Sequence, residues 1–185
     1  PDDVFIYSFG GSGGQISLNE AIIDVIKKYN GKQNVKILHV TGKMHYDAFM
    51  EELNRNIKLE KNIEIKDYMY EAPSALSASD VVIGSAGAIT IAEITAIGVP
   101  SILIPKTYTA ENHQEYNARA LEKEGAALVI LEKDLNGRTL LKSIQEVIEN
   151  KSRLNTMALN SKRLGNFDVE NKIYATMMAL INAHK

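Results

Sequence analysis

The residues best placed for chemistry follow a short apolar run, Val81–Ile83, in the glycine-containing turn Gly84–Gly87. A helix is predicted directly after this turn, because Ile91, Ile94 and Ile97 recur at a spacing of three residues. The turn would leave unpaired backbone N–H groups at a helix N-terminus, where the helix dipole is positive. Such a turn is suited to binding an anion, typically a phosphate group.

Glu93 is a carboxylate just inside this predicted helix, and its position allows two roles. Side chains on a helix lean toward its N-terminus, so Glu93 would lie over the first turn, near the bound anion. Alternatively, Thr90 and Glu93 have the spacing of a capping box, in which the Glu93 carboxylate accepts a hydrogen bond from the Thr90 N–H. The residues alone leave both roles open.

A second glycine-rich turn, Gly10–Gly14, reads GGSGG and follows the apolar run Val4–Phe9. The dinucleotide-binding pattern GxGxxG would require a third glycine at the position of Ile16. It would also require an acidic residue at the end of the second strand, where the sequence is Thr41-Gly42-Lys43. The turn is therefore either part of a different binding site or simply a tight connection between a strand and a helix.

A third polar segment, Glu111–Asn117, marks the start of another predicted helix. On pattern alone, a solvated helix start is the more ordinary interpretation. His39 and His45 have no partner at a metal-ligand spacing, and His184 lies in the tail, so all three are predicted to be structural or exposed. The sequence predicts no metal site and no cofactor.

Composition limits the classes of function. A net charge of −2 provides no strong field for nucleic acid or an anionic membrane. The absence of Cys excludes disulfides, thiolate metal ligands and Cys nucleophiles, and no apolar run is long enough to span a membrane. Because the chain starts with Pro1 and enters a predicted strand almost at once, we expect a piece of a longer protein.

Six predicted strands alternate with helices, which favours one domain built on a doubly wound parallel α/β sheet. The predicted strands are Val4–Phe9, Val35–Val40, Ile63–Ile65, Val81–Ile83, Ile102–Ile104 and Ala127–Leu131. Ligands of such sheets bind at the switch point, which we predict between the first strand and the strand at Val81. Both glycine turns follow these two strands, so the architecture should bring them together.

Two helix boundaries are predicted from local patterns. Ser17 and Glu20 have capping-box spacing, which places the start of the first helix as late as residue 18. The tail is predicted to form two helices, Ser152–Leu164 and Asp168–His184, the second with apolar residues at helical spacing.

Four motifs in register carry a resemblance that covers nearly the whole chain. They are Gly10-Gly11-Ser12, Ser85–Glu93 (SAGAITIAE), Gly98-Val99-Pro100 and His113–Ala118 (HQEYNA). Together they resemble the C-terminal half of the MurG family, the bacterial transferases that make lipid II from lipid I and UDP-N-acetylglucosamine. The resemblance implies the Rossmann-like donor-binding domain of a two-domain GT-B glycosyltransferase that is inverting and metal-independent.

The resemblance also implies how the donor would be bound. The backbone N–H groups around Ala88, Ile89 and Thr90 would hold the diphosphate of the nucleotide. Glu93 would accept hydrogen bonds from the ribose hydroxyls, and the backbone of Met69 would form hydrogen bonds with the edge of the uracil. Among the roles left open above, the resemblance therefore favours a binding role for Glu93.

Further family positions concern the sugar and the first loop. Ser12 would lie in the loop that approaches the phosphates, and His113 and Gln114 would bind the N-acetylglucosamine. This chain departs from the family pattern twice: many members carry paired glutamines where it has His113-Gln114, and its first loop reads GGSGGQ instead of the commoner GGS-x-GA. The resemblance implies no role for Gln15.

The resemblance implies that the acceptor-binding half, with a histidine proposed as general base, is not in this chain, so we predict no catalytic residue here. The implied partners are UDP-N-acetylglucosamine and, through the other half, lipid I, without nucleic acid or direct membrane insertion by this domain. The full enzyme would be cytoplasmic and peripheral on the inner face of the cell membrane. The helix at about 168–184 would pack either here or on the other half.

Two alternatives belong to other classes of function. One is a different GT-B-type UDP-sugar transferase or hydrolase, which would bind a different activated sugar. The other is a non-catalytic nucleotide-binding module, which would fold without taking part in sugar transfer.

Overall fold

A single parallel sheet organises the chain in a computed structural model that describes residues 3–108, 112–165 and 168–183. Its strands are β1 (Val4–Phe9), β2 (Val35–Val40), β3 (Ile63–Lys66), β4 (Val81–Gly84), β5 (Ser101–Leu103) and β6 (Ala127–Val129). All neighbouring strands pair in parallel, in the order β3-β2-β1-β4-β5-β6. This order confirms the predicted doubly wound α/β sheet.

Helices connect and flank the strands. Those in the described parts of the chain are α1 (Ile16–Tyr29), α2 (Tyr46–Asn56), α3 (Ala72–Ala78), α4 (Ala88–Ile97), α5 (His113–Lys123), α6 (Gly137–Ile148), α7 (Lys151–Leu164) and α8 (Val169–Ala183). Within the ranges that the structure describes, none of these helices is long and apolar enough to cross a membrane.

The strands bury side chains on both faces of the sheet, as expected for a parallel sheet covered by helices on each side. Ile6 belongs to the core cluster that contains side chains of α1, α2 and α6. Its neighbour Tyr7 belongs to the opposite cluster, with side chains of α3, α4 and α5. The same alternation holds in β4, where Val82 lies in the second cluster and Val81 and Ile83 lie in the first.

The switch point lies between β1 and β4, as predicted. β1 pairs with β2 on one side, with Val4 opposite Val35, and with β4 on the other, with Ile6 opposite Val81. Both glycine turns begin at the carboxyl ends of these two strands. A Cβ built on Gly11 would lie 3.2 Å from the Ser85 hydroxyl, so the two turns are in contact.

Some predicted boundaries need correction. α1 begins at Ile16 after Gln15, and the predicted capping role of Ser17 is wrong, because its hydroxyl donates to Glu132 at 2.6 Å. β6 ends at Val129, two residues before the predicted end at Leu131. In the loop after β5, residues 109–111 lie outside the described residues, as does His184 at the predicted end of the last helix.

α8 carries its apolar side chains in solvent. All of its described residues are exposed, and the large apolar side chains among them are Val169, Ile173, Tyr174, Met177, Met178, Leu180 and Ile181. The predicted helical spacing is therefore present, but the described part of the domain does not bury the stripe that it creates.

Candidate functional site

An open cleft of about 590 Å³ lies at the carboxyl ends of β1 and β4. It is lined by both glycine turns, by the first turn of α4 and by the loop after β3. Seven of the eight predicted donor-site residues line it: Ser12, Met69, Ala88, Ile89, Thr90, Glu93 and Gln114. The eighth, His113, is exposed at the start of α5 and is not among the lining residues.

The N-terminus of α4 presents backbone donors to this cleft. Gly87 is the N-cap residue, and the first hydrogen bond of the helix runs from the Ile91 N–H to the Gly87 carbonyl at 2.9 Å. The N–H groups of Ala88, Ile89 and Thr90 precede that bond, and none of them donates to an acceptor in the described chain. Because the helix dipole is positive here, these donors favour an anionic ligand.

Glu93 lies in the cleft as a half-buried carboxylate. The capping-box interpretation is wrong, because α4 starts at Ala88 and Thr90 is therefore already inside the first turn. In the described part of the chain, no hydrogen bond or salt bridge engages the Glu93 carboxylate. Its two oxygens can therefore accept hydrogen bonds from a ligand in the cleft.

The environment of Glu93 includes two tyrosines. Burial, the negative charge of Glu93 and the nearby Tyr68 phenol together raise the pKa of Tyr7 to about 12. The Tyr7 phenol therefore stays protonated and can donate a hydrogen bond at any ordinary pH. Both tyrosines line the cleft, and neither was identified from the sequence.

The loop after β3 forms the aromatic side of the cleft. Met69, predicted to read the uracil, lies between Tyr68 and Tyr70, whose rings meet edge to face at 4.9 Å. The Lys43 ammonium lies 5.1 Å from the centre of the Tyr68 ring, a distance that allows a cation–π interaction. The Tyr68 ring is thus held from two directions at the edge of the cleft.

Gln114 is fixed in one orientation by the β4–α4 turn and the loop after β5. Its side-chain oxygen accepts from the Ala86 N–H at 3.2 Å and from the Lys106 N–H at 3.1 Å. Since a carboxamide carries its donors on nitrogen, the Gln114 side chain offers N–H groups to the cleft that it lines. Asn117 supports the same turn by donating to the Ala86 carbonyl at 3.0 Å.

Lys106 brings a positive charge to the cleft that the sequence did not lead us to expect. It follows β5 and lines the cleft, and its ammonium group donates to the carbonyl of Gly14 at 2.8 Å. The bond joins the loop after β5 to the first glycine turn. A Cβ built on Gly11 would lie 3.9 Å from the same ammonium nitrogen.

Glu132, which follows β6, connects its own segment to the start of α1 and to the loop after β5. One of its oxygens accepts from Gln15 at 2.8 Å and from Ser17 at 2.6 Å, and the other accepts from the Thr107 N–H and hydroxyl at 2.8 Å each. Burial opposes its ionisation, but the hydrogen bonds from Ser17, Thr107 and Gln15 outweigh this and lower the pKa of Glu132 to about 2. The buried Gln15 therefore has a structural role.

Glu132→Gln is expected to change the response to acid. The folded-state pKa lies near 2, below the ordinary value of 4.5, so the ionised Glu132 stabilises the fold above pH 4.5 and that contribution is lost as the pH falls toward 2. The variant should lose roughly 1.5–3 kcal/mol of unfolding free energy at neutral pH, the typical worth of hydrogen bonds to a charged group. It should also lose less stability than wild type on acidification through this window.

Urea denaturation at several pH values measures both effects. Glu124→Gln is the matched control, because Glu124 is an exposed carboxylate at the end of α5 with no side-chain hydrogen bond in the described chain. Equal acid dependence in wild type and Glu132→Gln would contradict the role assigned to Glu132.

The residues that sequence reasoning missed are of two kinds. Lys106 and Tyr68 follow predicted strands at the ligand-binding edge, so the rule that predicted the switch point could also have identified them. Tyr7 and Glu132 gave no comparable signal. Tyr7 lies within a buried strand, and the partners of Glu132 are 25 to 117 residues away in sequence.

The sequence of this chain is similar to those of a known protein family. The family model of the glycosyltransferase family 28 C-terminal domain matches residues 5–173. A UDP-N-acetylglucosamine--N-acetylmuramyl-(pentapeptide) pyrophosphoryl-undecaprenol N-acetylglucosamine transferase of Desulforamulus reducens is 47% identical over 167 residues, which are 89% of this chain and 45% of that protein. The chain thus spans about half the length of the curated relatives that it matches.

Solved structures share the fold at lower identity. Acinetobacter baumannii MurG aligns with a TM-score of 0.82 and 23% identity, over 96% of this chain and 52% of that one. A co-structure of S. aureus MnaA with UDP aligns with a TM-score of 0.75 and 12% identity, over 98% of this chain and 47% of that one. At these identities the likeness concerns the fold.

Proposed function

Because this chain belongs to the family of glycosyltransferase family 28 C-terminal domains, we propose that it binds the donor in an inverting transfer of N-acetylglucosamine from UDP-N-acetylglucosamine to lipid I. The product of that transfer would be lipid II, the precursor of peptidoglycan. One observation carries the proposal: the first N–H groups of α4 and the Glu93 carboxylate, which have no hydrogen-bond partner among the described residues, line the same cleft. The sequence identity to a transferase named for N-acetylglucosamine supports N-acetylglucosamine as the transferred sugar.

Each part of the donor has chemically suitable groups in the cleft. The diphosphate would accept hydrogen bonds from the N–H groups of Ala88, Ile89 and Thr90, where the α4 dipole is positive. The ribose hydroxyls would donate to the carboxylate of Glu93. The uracil would lie at the aromatic side of the cleft, with its edge read by the backbone of Met69.

The sugar end involves the residues around α5. The Gln114 amide would donate to hydroxyls of the N-acetylglucosamine, an arrangement supported by its fixed oxygen. Ser12 would approach the phosphates from the first glycine turn. His113, exposed beside Gln114, would contact only the outer part of the sugar.

In the proposed reaction, the C4 hydroxyl of the lipid-linked muramyl sugar attacks the anomeric carbon of the donor. The bond between that carbon and the diphosphate oxygen breaks, its electron pair leaves with UDP, and the hydroxyl proton passes to a base outside this chain. Negative charge grows on the diphosphate as the bond breaks. Donors already aimed at that position stabilise the charge without having to reorganise.

The acceptor would be bound by a second half, which the relatives' greater length accommodates. The exposed apolar stripe of α8 supports a further step, that this helix packs on that second half. Since the acceptor is lipid-linked, the complete enzyme would work as a peripheral protein on the inner face of the cell membrane. This domain itself would not insert, and it would not bind nucleic acid.

The test combines binding and transfer with the purified chain. Calorimetry should detect binding of UDP and UDP-N-acetylglucosamine, whereas incubation with lipid I should yield no lipid II, because the general base is not in this chain. Folded protein that binds neither nucleotide would contradict the proposal. Tighter binding of a different UDP-sugar would favour another transferase or hydrolase, and measurable transfer by this chain alone would overturn the division of roles.

A further inference from the structure

We propose that Lys106 is a specificity-determining residue of the cleft, where its ammonium group binds the diphosphate of the nucleotide and neutralises charge on the departing UDP. The inference rests on the proposed function, since it concerns the same ligand. It adds a cation to a phosphate site otherwise formed by neutral backbone N–H groups.

The backbone of Lys106 is held in place by its neighbours. Pro105 before it is buried, and the Lys106 N–H donates to the oxygen of Gln114, which also holds the Ala86 N–H. One side chain therefore fixes Lys106 relative to the turn that leads into α4. The stem of Lys106 starts beside the helix N-terminus that presents the backbone donors.

The ammonium group itself lies at the first glycine turn. It donates to the Gly14 carbonyl at 2.8 Å, and it lies 5.7 Å from the centre of the Tyr108 ring. An ammonium group carries three N–H donors, so the bond to Gly14 is compatible with simultaneous bonds to phosphate oxygens. Lys106 is thus placed where the two glycine turns meet, within the cleft that it lines.

The cleft carries two groups of opposite charge, which lie on different segments of the chain. Of the described residues that line it, Lys106 is the one base and Glu93 the one acid. Glu93 is close enough to Tyr7 to raise the pKa of its phenol, whereas Lys106 contacts the first glycine turn. A ligand with hydroxyls at one end and an anionic diphosphate beyond them satisfies both groups at once.

Glu132 lines a neighbouring pocket together with Lys106, and its two oxygens accept four hydrogen bonds, from Gln15, Ser17 and Thr107. It therefore acts mainly to position the loop that carries Lys106. The contrasting interpretation is that Lys106 only fastens the first glycine turn through Gly14. A neutral donor could do that equally well, so the charge of Lys106 separates the two interpretations.

The test compares Lys106→Met, Lys106→Gln and Lys106→Arg in calorimetric titrations with UDP and with uridine. Met and Gln should each weaken UDP binding by about ten- to hundredfold, the range for a lost charged hydrogen bond. Arg, which keeps the charge, should bind UDP nearly as wild type does. Uridine binding should not change in any variant, and raising the salt concentration should weaken UDP binding more in wild type than in Lys106→Gln.

Lys61→Met is the matched control, because Lys61 is exposed just before β3, at the opposite edge of the sheet. It should bind UDP as wild type does. UDP binding by Lys106→Gln that equals wild type, or a parallel loss of uridine affinity, would overturn the inference while leaving the proposed function intact. Wild-type protein that binds no UDP would overturn both.

Discussion

Gly14→Ala is expected to destabilise the fold by about 2–5 kcal/mol, combining a left-handed backbone conformation with overpacking. Gly14 has a φ of +76°, a conformation that side chains with a Cβ rarely adopt. A Cβ at this position would overlap the carbonyl oxygen of Thr41, far inside any normal contact. The substitution therefore has no unstrained solution unless the end of β2 moves.

The end of β2 is held too firmly for such a movement. The Thr41 carbonyl accepts from the Asn19 amide at 3.1 Å, and the Asn19 oxygen lies 3.1 Å from the ring of His39. The other ring nitrogen of His39 lies 3.1 Å from the Ser8 hydroxyl, so a buried polar network joins β1, β2 and α1 beneath the loop. Burial lowers the pKa of His39 to about 3, which keeps the ring neutral in this network.

Gly13→Ala is the matched control in the same loop. Among the described residues, no atom lies within 4 Å of a Cβ built on Gly13, and the φ of Gly13 is outside the positive range. Its replacement should change stability by no more than about 1 kcal/mol, in either direction. Urea denaturation gives the free energy of unfolding of both variants. Equal values for Gly14→Ala and Gly13→Ala would contradict the predicted strain at Gly14.

Glu93→Gln is expected to weaken UDP binding by about ten- to hundredfold, because charged hydrogen bonds to the ribose hydroxyls are typically worth roughly 1.5–3 kcal/mol. Its melting temperature should stay close to that of wild type. The reason is that Glu93 lies beyond the first turn of α4 and caps nothing in the described chain. The variant should also discriminate less between UDP and pyrophosphate, which has no ribose.

The control for this change is Glu52→Gln, which removes the same charge from an exposed position on α2. Calorimetric titrations with UDP and pyrophosphate, together with thermal melting, separate the two roles considered for Glu93. A lowered melting temperature with unchanged UDP affinity would assign Glu93 to the helix and contradict the ribose contact.

The sequence predicted the sheet and its switch point because both follow from local patterns that repeat along the chain. Apolar runs such as Val81–Ile83 and the turns after them were sufficient to place two glycine loops at one edge. Predictions from local patterns were wrong where the hydrogen-bond partner of a residue came from a distant segment of the chain. Ser17 has the spacing of a cap, yet its hydroxyl bonds to Glu132, which a short-range rule cannot anticipate.

The candidate site also has features that local patterns predict and features that they do not. The backbone donors of α4 were predictable, since a helix start after a glycine turn leaves them unpaired. The choice between the two roles of Glu93 depended on where α4 begins, and a shift of a few residues decides whether Thr90 is a cap. The place of Lys106 after β5 could have been predicted by the same rule, but its bond to the Gly14 carbonyl, 92 residues away in sequence, could not.

We propose that the cleft between β1 and β4 holds a UDP-sugar with its diphosphate on the N-terminus of α4. A titration of the 20.5 kDa chain with UDP-N-acetylglucosamine, followed by amide-resolved NMR, tests it directly. We predict that the N–H resonances of Ala88, Ile89 and Thr90 shift the most, together with those of the first glycine turn. Folded protein in which these resonances stay in place, or in which the shifts fall only on distant surfaces such as α7, would contradict it.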